Sequence, residues 1–273
     1  MNVLSLFDGI SVAKQALVDL HIQHTYIASE IDKYAIQISE SNWADIWRLD
    51  DVKDISKEDF DGLCNIDLLV GGSPCQGFSL QGLQKGLEDP RSALVSEYIR
   101  IKNELNPKWF LLENTRMKAE CKEFISDALG VRPIEINSLT YTGQSRNRLY
   151  WTNIPITSVE KAPIQKFILE YGQRPGVTRK GPPRHVVFTD HFGCLTATYY
   201  KGIRADGRPL ITTKEGEFDE IRQHVRMLTP EECEQLQGLP KHYTSGVSNT
   251  QRYKALGNAF TLPVIKHIFQ GLK

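Results

Sequence analysis

The chain lacks what would mark it for a bilayer, an oxidising compartment or indiscriminate polyanion binding. No apolar run approaches the roughly 18 residues of a membrane-spanning helix. The amino terminus has no charged stretch followed by an apolar one, so neither membrane nor export is expected. Cysteines number five: Cys64, Cys75, Cys121, Cys194 and Cys233. An odd count without Cys-x-x-Cys spacing speaks against a disulfide framework and a zinc site; no metal and a cytoplasmic setting are expected. An excess of one charge is missing too, with 33 basic residues against 33 acidic. That excludes a global basic field and leaves a local patch open. The 273 residues, 40% apolar and 24% charged, suit one large globular domain, or a domain with a smaller lobe.

Through the first half, strand-like and helix-like segments alternate. Val3–Phe7, His24–Ser29, Ile66–Val70 and Trp109–Leu112 read as strands; Ser11–Asp19, Tyr34–Ser41, Ala93–Leu105 and Lys122–Leu129 read as helices. Such alternation predicts an α/β fold, a doubly wound, mostly parallel sheet. Ligands of these sheets bind beyond the carboxyl ends of the strands, and Asp8, Glu30, Cys75 and Glu113 all fall there. After Trp151 the pattern gives way to Pro, Gly and Thr. Within 174–208, seven basic side chains (Arg174, Arg179, Lys180, Arg184, Lys201, Arg204, Arg208) face two acids, Asp190 and Asp206. This is either a solvated face or a phosphate-contacting lobe. Thr229-Pro230-Glu231-Glu232 starts a helix, and Pro263–Phe269 reads as a short apolar one.

The sharpest local feature is Gly71-Gly72-Ser73-Pro74-Cys75-Gln76, directly behind an apolar strand. A cysteine alone is most often a small buried hydrophobe. Its company changes the reading. Phe7-Asp8-Gly9, Pro74-Cys75-Gln76, Glu113-Asn114, Gln144-x-Arg146-x-Arg148, Leu236-Gln237-Gly238 and Gly257-Asn258-Ala259 occur in this order along the chain. With these six motifs the sequence resembles the cytosine-5 DNA methyltransferases, nearly end to end and most weakly between about Ile154 and Gln223.

The resemblance implies a class I S-adenosylmethionine-dependent methyltransferase fold, with a small loop-rich target-recognition domain. The domains implied are a catalytic and cofactor-binding region over 1–151, recognition over 152–240 and a returning segment over 241–273. Cys75 would be the nucleophile that adds to carbon 6 of cytosine, because carbon 5 is a poor nucleophile until the ring is so activated. Glu113 would hold a proton toward ring nitrogen 3, which requires a protonated carboxyl. Arg146 and Arg148 alternate on what reads as a strand before Leu149-Tyr150-Trp151, which sends both side chains to one face; the resemblance implies that Arg148 reaches the cytosine carbonyl oxygen and that Arg146 supports the mobile loop or the active site.

On the cofactor side the resemblance implies Phe7, Asp8, Gly9, Ile10 and Ser11 at the first strand-to-helix turn, where many relatives have a second glycine in place of Ser11. Glu30 would take both ribose hydroxyls, beside Ile31. Asp51-Val52 would hold the adenine end, with Asp50 as a rival, and Pro74, Leu94, Asn258, Ala259 and Phe260 would complete the pocket. S-adenosyl-L-methionine is the implied cofactor and S-adenosyl-L-homocysteine the product. Gly77–Asp89 would close over a flipped base. The implied partner is double-stranded DNA, in the nucleoid or of a phage. A compact modification enzyme, as in restriction-modification, is the setting favoured; a monomer is expected, with a dimer left open. Two rivals stand beside this: a tRNA cytosine-5 methyltransferase, and a silent methyltransferase-like regulator. The former is disfavoured by Ser73-Pro74-Cys75 in place of Pro-Pro-Cys and by the absence of Cys-Phe-Thr.

Overall fold

In the computed structural model, residues 1–63, 65–74, 93–156, 174–177, 186–189, 192–201, 210–212 and 225–273 are described. The elements begin with β1 (Asn2–Leu6), α1 (Val12–Asp19), β2 (Thr25–Ser29), α2 (Lys33–Asn42), β3 (Trp47–Leu49) and β4 (Leu68–Gly72). Next come α3 (Ala93–Leu105), β5 (Trp109–Asn114), α4 (Ala119–Leu129), β6 (Ile134–Asn137), α5 (Leu139–Thr142) and β7 (Asn147–Thr152). Then follow β8 (Arg174–Val177), β9 (Val186–Thr189), β10 (Leu210–Thr212), β11 (Val225–Met227), α6 (Pro230–Leu236), α7 (Asn249–Asn258) and α8 (Leu262–Phe269).

The chain divides into two compact units: Met1–Ile136 with Asn147–Thr157 and Ile265–Lys273, and Asn137–Arg146 with Ser158–Val264. These boundaries differ from divisions after 151 and 240. Asn137–Arg146 passes to the second unit because Gln144 is bonded to Leu236 and Leu195. The stretch from 241 stays there because Thr244 and Arg252 are bonded to Glu234.

The sheet order is β3-β2-β1-β4-β5-β7-β6. From β3 to β5 all neighbours are parallel, and β7 runs antiparallel to β5. The expected doubly wound, mostly parallel sheet is present. Its strands are continuous apolar runs because helices cover both faces. Leu4, Leu6, Ile27, Leu69 and Leu112 are fully buried in one cluster with Val95, Tyr98 and Ile125. Each such side chain contributes about 1.5–3 kcal/mol. The strand order reverses between β1 and β4, which opens a crevice at their carboxyl ends. β3 and β6 escape the periodicity reading because they are three- and four-residue strands. In the second unit β8 pairs with β9 and β10 with β11, both antiparallel. Among the described residues no helix is long and apolar enough to cross a membrane.

Candidate active site

The turn after β1 is built on left-handed backbone. Phe7, Gly9 and Ser11 have φ of 54°, 59° and 59°. Glycine takes this conformation freely, whereas an L-residue loses about 1–2 kcal/mol there. At Ser11 the side chain offsets that cost. Its Oγ donates to Asp8 Oδ2 and shares a second hydrogen bond with Ser39 Oγ, all three residues being buried. The departure from glycine is thus accommodated by a local network. Asp8 is its hub: Tyr26 Oη donates to Oδ1 at 2.8 Å, and Arg48 Nη1 lies 3.4 Å from Oδ2. With no exposure of its side chain, Asp8 holds the turn from beneath.

Glu30 follows β2. Its Oε2 accepts from Gly9 N at 2.8 Å, and its Oε1 accepts from Ile31 N and Asp32 N, both at 2.8 Å. Three of a carboxylate's roughly four acceptor sites are taken. A bidentate grip on two hydroxyls therefore needs one amide to let go. Ile31 beside it is 72% exposed, an apolar side chain bare to water at a strand end. At the end of β3, Asp51 caps a 3₁₀ turn over Val52–Asp54, its Oδ1 accepting from Lys53 N at 3.1 Å. Val52 is buried, and the rival Asp50 is exposed. An added Cβ at Gly9 meets nothing within 4 Å, so open space borders the turn. An apolar surface, a fixed carboxylate and a second acceptor at three neighbouring strand ends fit a nucleoside carrying an amino-acid tail. Ile10 is buried and Leu94 half-buried.

The second cluster surrounds the end of β4. Gly72 pairs with Glu113 across the β4–β5 ladder. Asn114, 1% exposed, donates through Nδ2 to Ser73 Oγ at 2.9 Å, and its Oδ1 accepts from Thr115 N at 2.8 Å. The loop that leads to Pro74 and Cys75 is thus pinned at its root. Pro74 is exposed. Glu113 Oε1 lies 2.9 Å from Arg148 Nε, with side-chain exposures of 12% and 14%. The two expected base-pocket groups are therefore adjacent. In this arrangement the carboxylate accepts from the guanidinium, whereas the donor role requires a proton on it. Cys75 and the Gly77–Asp89 segment lie outside the described residues.

Arg146 has a different task from Arg148. β7 begins at Asn147, so strand alternation does not extend to Arg146 as expected. Arg146 is 3% exposed and belongs to the second unit. Its guanidinium donates to Leu195 O at 2.9 Å, Gly257 O at 3.1 Å and Ala259 O at 2.9 Å. Gln144 Nε2 donates to Leu236 O at 3.0 Å, while its Oε1 accepts from Leu195 N at 2.9 Å. Gln237 Nε2 donates to Leu256 O at 2.6 Å, and its Oε1 accepts from Thr261 Oγ1 at 3.0 Å. Three of the motifs therefore join in one buried polar network. A Cβ at Gly257 would lie 2.2 Å from the Thr196 carbonyl carbon, so that glycine admits Thr196 and Ala197 against α7. In this unit Asn258 is exposed at the end of α7, Ala259 is buried and Phe260 is half-buried.

Asn114 was legible only as the second half of a Glu-Asn pair. Tyr26 and Arg48 carry no sequence signal: one sits in an apolar strand, the other in a three-residue one. Of the basic cluster, only Lys201 is described with its side chain, which is exposed. Among the described residues no group of three or more His, Cys, Asp or Glu could hold a metal ion.

A family model for the C-5 cytosine-specific DNA methylases matches residues 1–124 and 137–273. The type II methyltransferase M1.ScrFI of Lactococcus lactis subsp. cremoris is 27% identical over 98% of this chain and 76% of its own length. M.NlaX of Neisseria lactamica is also 27% identical, over 100% of this chain and 96% of its own. In fold, the Entamoeba histolytica methyltransferase EhMeth superposes with a TM-score of 0.75 at 19% identity, over 100% of this chain and 99% of its own. Since the family match spans both units and takes in all six motifs, the chain belongs to the C-5 cytosine-specific DNA methylase family.

Proposed function

We propose that this chain transfers a methyl group from S-adenosylmethionine to carbon 5 of a flipped-out cytosine in a specific duplex sequence, through a covalent Cys75 adduct. The observation that carries the reading is the pair of buried Glu113 and half-buried Arg148, set across the ladder from the strand that feeds Pro74 and Cys75. Nitrogen 3 and the carbonyl oxygen are neighbouring atoms on one edge of cytosine. An adjacent carboxyl and guanidinium suit that edge, Glu113 donating its proton to nitrogen 3 and Arg148 donating to the oxygen.

The Cys75 thiolate adds its electron pair at carbon 6, and the ring's electrons move toward nitrogen 3, where Glu113 supplies a proton. S-adenosylmethionine would supply an activated methyl group on a sulfonium for carbon 5 to bond, the electron pair of the broken bond going to S-adenosylhomocysteine. A base then removes the carbon 5 proton, and the ring expels the thiolate. Glu30, Ile31, Asp51 and Val52 would hold the cofactor's nucleoside, and the Phe7–Ser11 turn its amino-acid tail. Asn258, Ala259, Phe260, Leu94 and Pro74 are proposed as further cofactor contacts. Arg146 serves as a positioning residue.

The test is bisulfite sequencing of plasmid DNA from cells expressing the chain or its Cys75→Ser variant, with tritiated methyl transfer to DNA and tRNA measured alongside. A short recurring motif, protected only with the cysteine intact, is expected. Label entering tRNA alone, or DNA unmodified by well-expressed protein, sinks the reading.

A further inference from the structure

The helix α3 touches two parts of the site. Its Tyr98 ring lies against Gly71 of the cysteine strand, where an added Cβ would come within 2.8 Å of it. Two residues further on, just over half a turn, Arg100 reaches the loop that carries Asp51. Its Nη2 donates to Ile55 O at 2.9 Å and Val52 O at 3.3 Å. Its remaining nitrogens are fixed on its own helix, Nε to Glu97 Oε2 at 2.8 Å and Nη1 to Glu104 Oε2 at 2.9 Å. Two carboxylates thus aim a planar fork at two backbone carbonyls, a geometry that lysine's single ammonium does not reproduce.

We infer that Arg100 is a positioning residue for the adenine end of the cofactor site, clamping the Asp51–Ile55 turn to α3. The inference rests on the cofactor reading proposed above. Carbonyls at the end of a 3₁₀ turn need donors, and Arg100 supplies them at the two residues that bracket the turn. Val52 and Ile55 are 3% and 4% exposed and pack with Val95, Tyr98 and Ile101 of α3. Apolar contact alone leaves the turn free to rock about that cluster; the guanidinium fixes its height. With one third of its side chain exposed and its donors engaged with protein atoms, Arg100 acts through Asp51.

The test is calorimetric titration of S-adenosylhomocysteine into the full chain and its Arg100→Ala, Arg100→Lys and Asp51→Asn variants. Amide hydrogen exchange at Lys53 and Asp54 is followed without ligand. Arg100→Ala is expected to weaken binding on the order of three- to tenfold, and to raise KM for S-adenosylmethionine in step while kcat falls much less. The lysine variant should recover part of the loss. Exchange at Lys53 and Asp54 should quicken in Arg100→Ala, since those amides close the turn on Asp51. Unchanged affinity in both Arg100 variants, with Asp51→Asn weakened, overturns the clamp and leaves the cofactor site standing. A wild-type chain that binds no S-adenosylhomocysteine overturns the cofactor reading itself. If Arg100→Ala does not fold, Arg100→Lys and the exchange rates decide.

Discussion

Motif residues are spent differently in the two units. In the first, Gly9, Glu30, Ile31, Asp51 and Glu113 stand at or just beyond the carboxyl ends of strands, with open space at Gly9 and an exposed apolar side chain at Ile31. In the second, Gln144, Arg146, Gln237 and Gly257 are consumed by one another and by carbonyls of neighbouring segments. The same kind of short polar signature therefore stands at strand ends in one region, where the ligand site is proposed, and serves as internal scaffolding in the other. What separates them is whether the hydrogen-bonding capacity is exhausted within the protein.

Removing a scaffold charge should have the largest effect. Glu234 is fully buried and accepts from His242 N, Thr244 N, Thr244 Oγ1 and Arg252 Nη2, at 2.5–2.9 Å. Breaking such a pair leaves Arg252, itself 8% exposed, with Glu231 at 2.8 Å as its remaining carboxylate, so Glu234→Gln should cost about 3 kcal/mol, the low end for a broken buried pair. Urea denaturation with exchange at the Thr244 amide measures it. A loss under about 1 kcal/mol would mean that this network is not what holds 241–252 in the second unit.

Two glycines sharpen the contrast. At Gly257 a Cβ collides with backbone of Thr196 and Ala197 at 2.2–2.4 Å, and backbone cannot rotate away. Gly257→Ala should therefore destabilise by about 1–3 kcal/mol through overpacking. Gly9→Ala meets no atom, so its cost is the positive φ alone, about 1–2 kcal/mol. Its larger consequence should be weaker S-adenosylhomocysteine binding, because the methyl enters the open space beside the turn. If Gly257→Ala impairs cofactor binding but not stability, the division between ligand site and scaffold fails.

This division explains what could be read beforehand. β1, β2, β4 and β5 were legible because parallel strands buried on both faces are unbroken apolar runs. Their ends then located Asp8, Glu30 and Glu113. β3 and β6 were too short to show a period, and α7 hides its helical signal because it starts among polar residues and runs through Gly257-Asn258. Arg146 and Arg148 look equivalent at a spacing of two. They diverge because the strand starts between them, which tertiary contacts decide rather than alternation. Arg100 reads as an ordinary helix-surface charge, having acids three before and four after it. Only the fold reveals the carbonyls on its fourth side.

Acid should affect the scaffold by a route open to a single substitution. Burial alone would push the Glu232 carboxyl up, but the hydrogen bonds from Arg226 and Thr229 N outweigh it and hold it below its ordinary 4.5. A depressed folded value contributes stability fully above about pH 4.5 and loses it as pH falls through the folded value. Glu232→Gln should flatten this part of the acid limb when urea midpoints are followed from pH 6 down to about pH 3. An unchanged slope would show that Glu232 keeps its partners in the unfolded chain.

The smallest effect expected is at Ser11. Serine at φ 59° loses what glycine would not, and regains it through bonds to Asp8 and Ser39. Ser11→Gly removes the backbone cost and both hydrogen bonds together, so net stability should move by less than about 1 kcal/mol. Ser11→Ala keeps the left-handed cost and loses the bonds, and should fall about 1–2 kcal/mol below Ser11→Gly. The order glycine above alanine, read by thermal denaturation, tests whether backbone conformation sets the demand at this position. The reverse order would mean that the left-handed turn does not set what position 11 accepts.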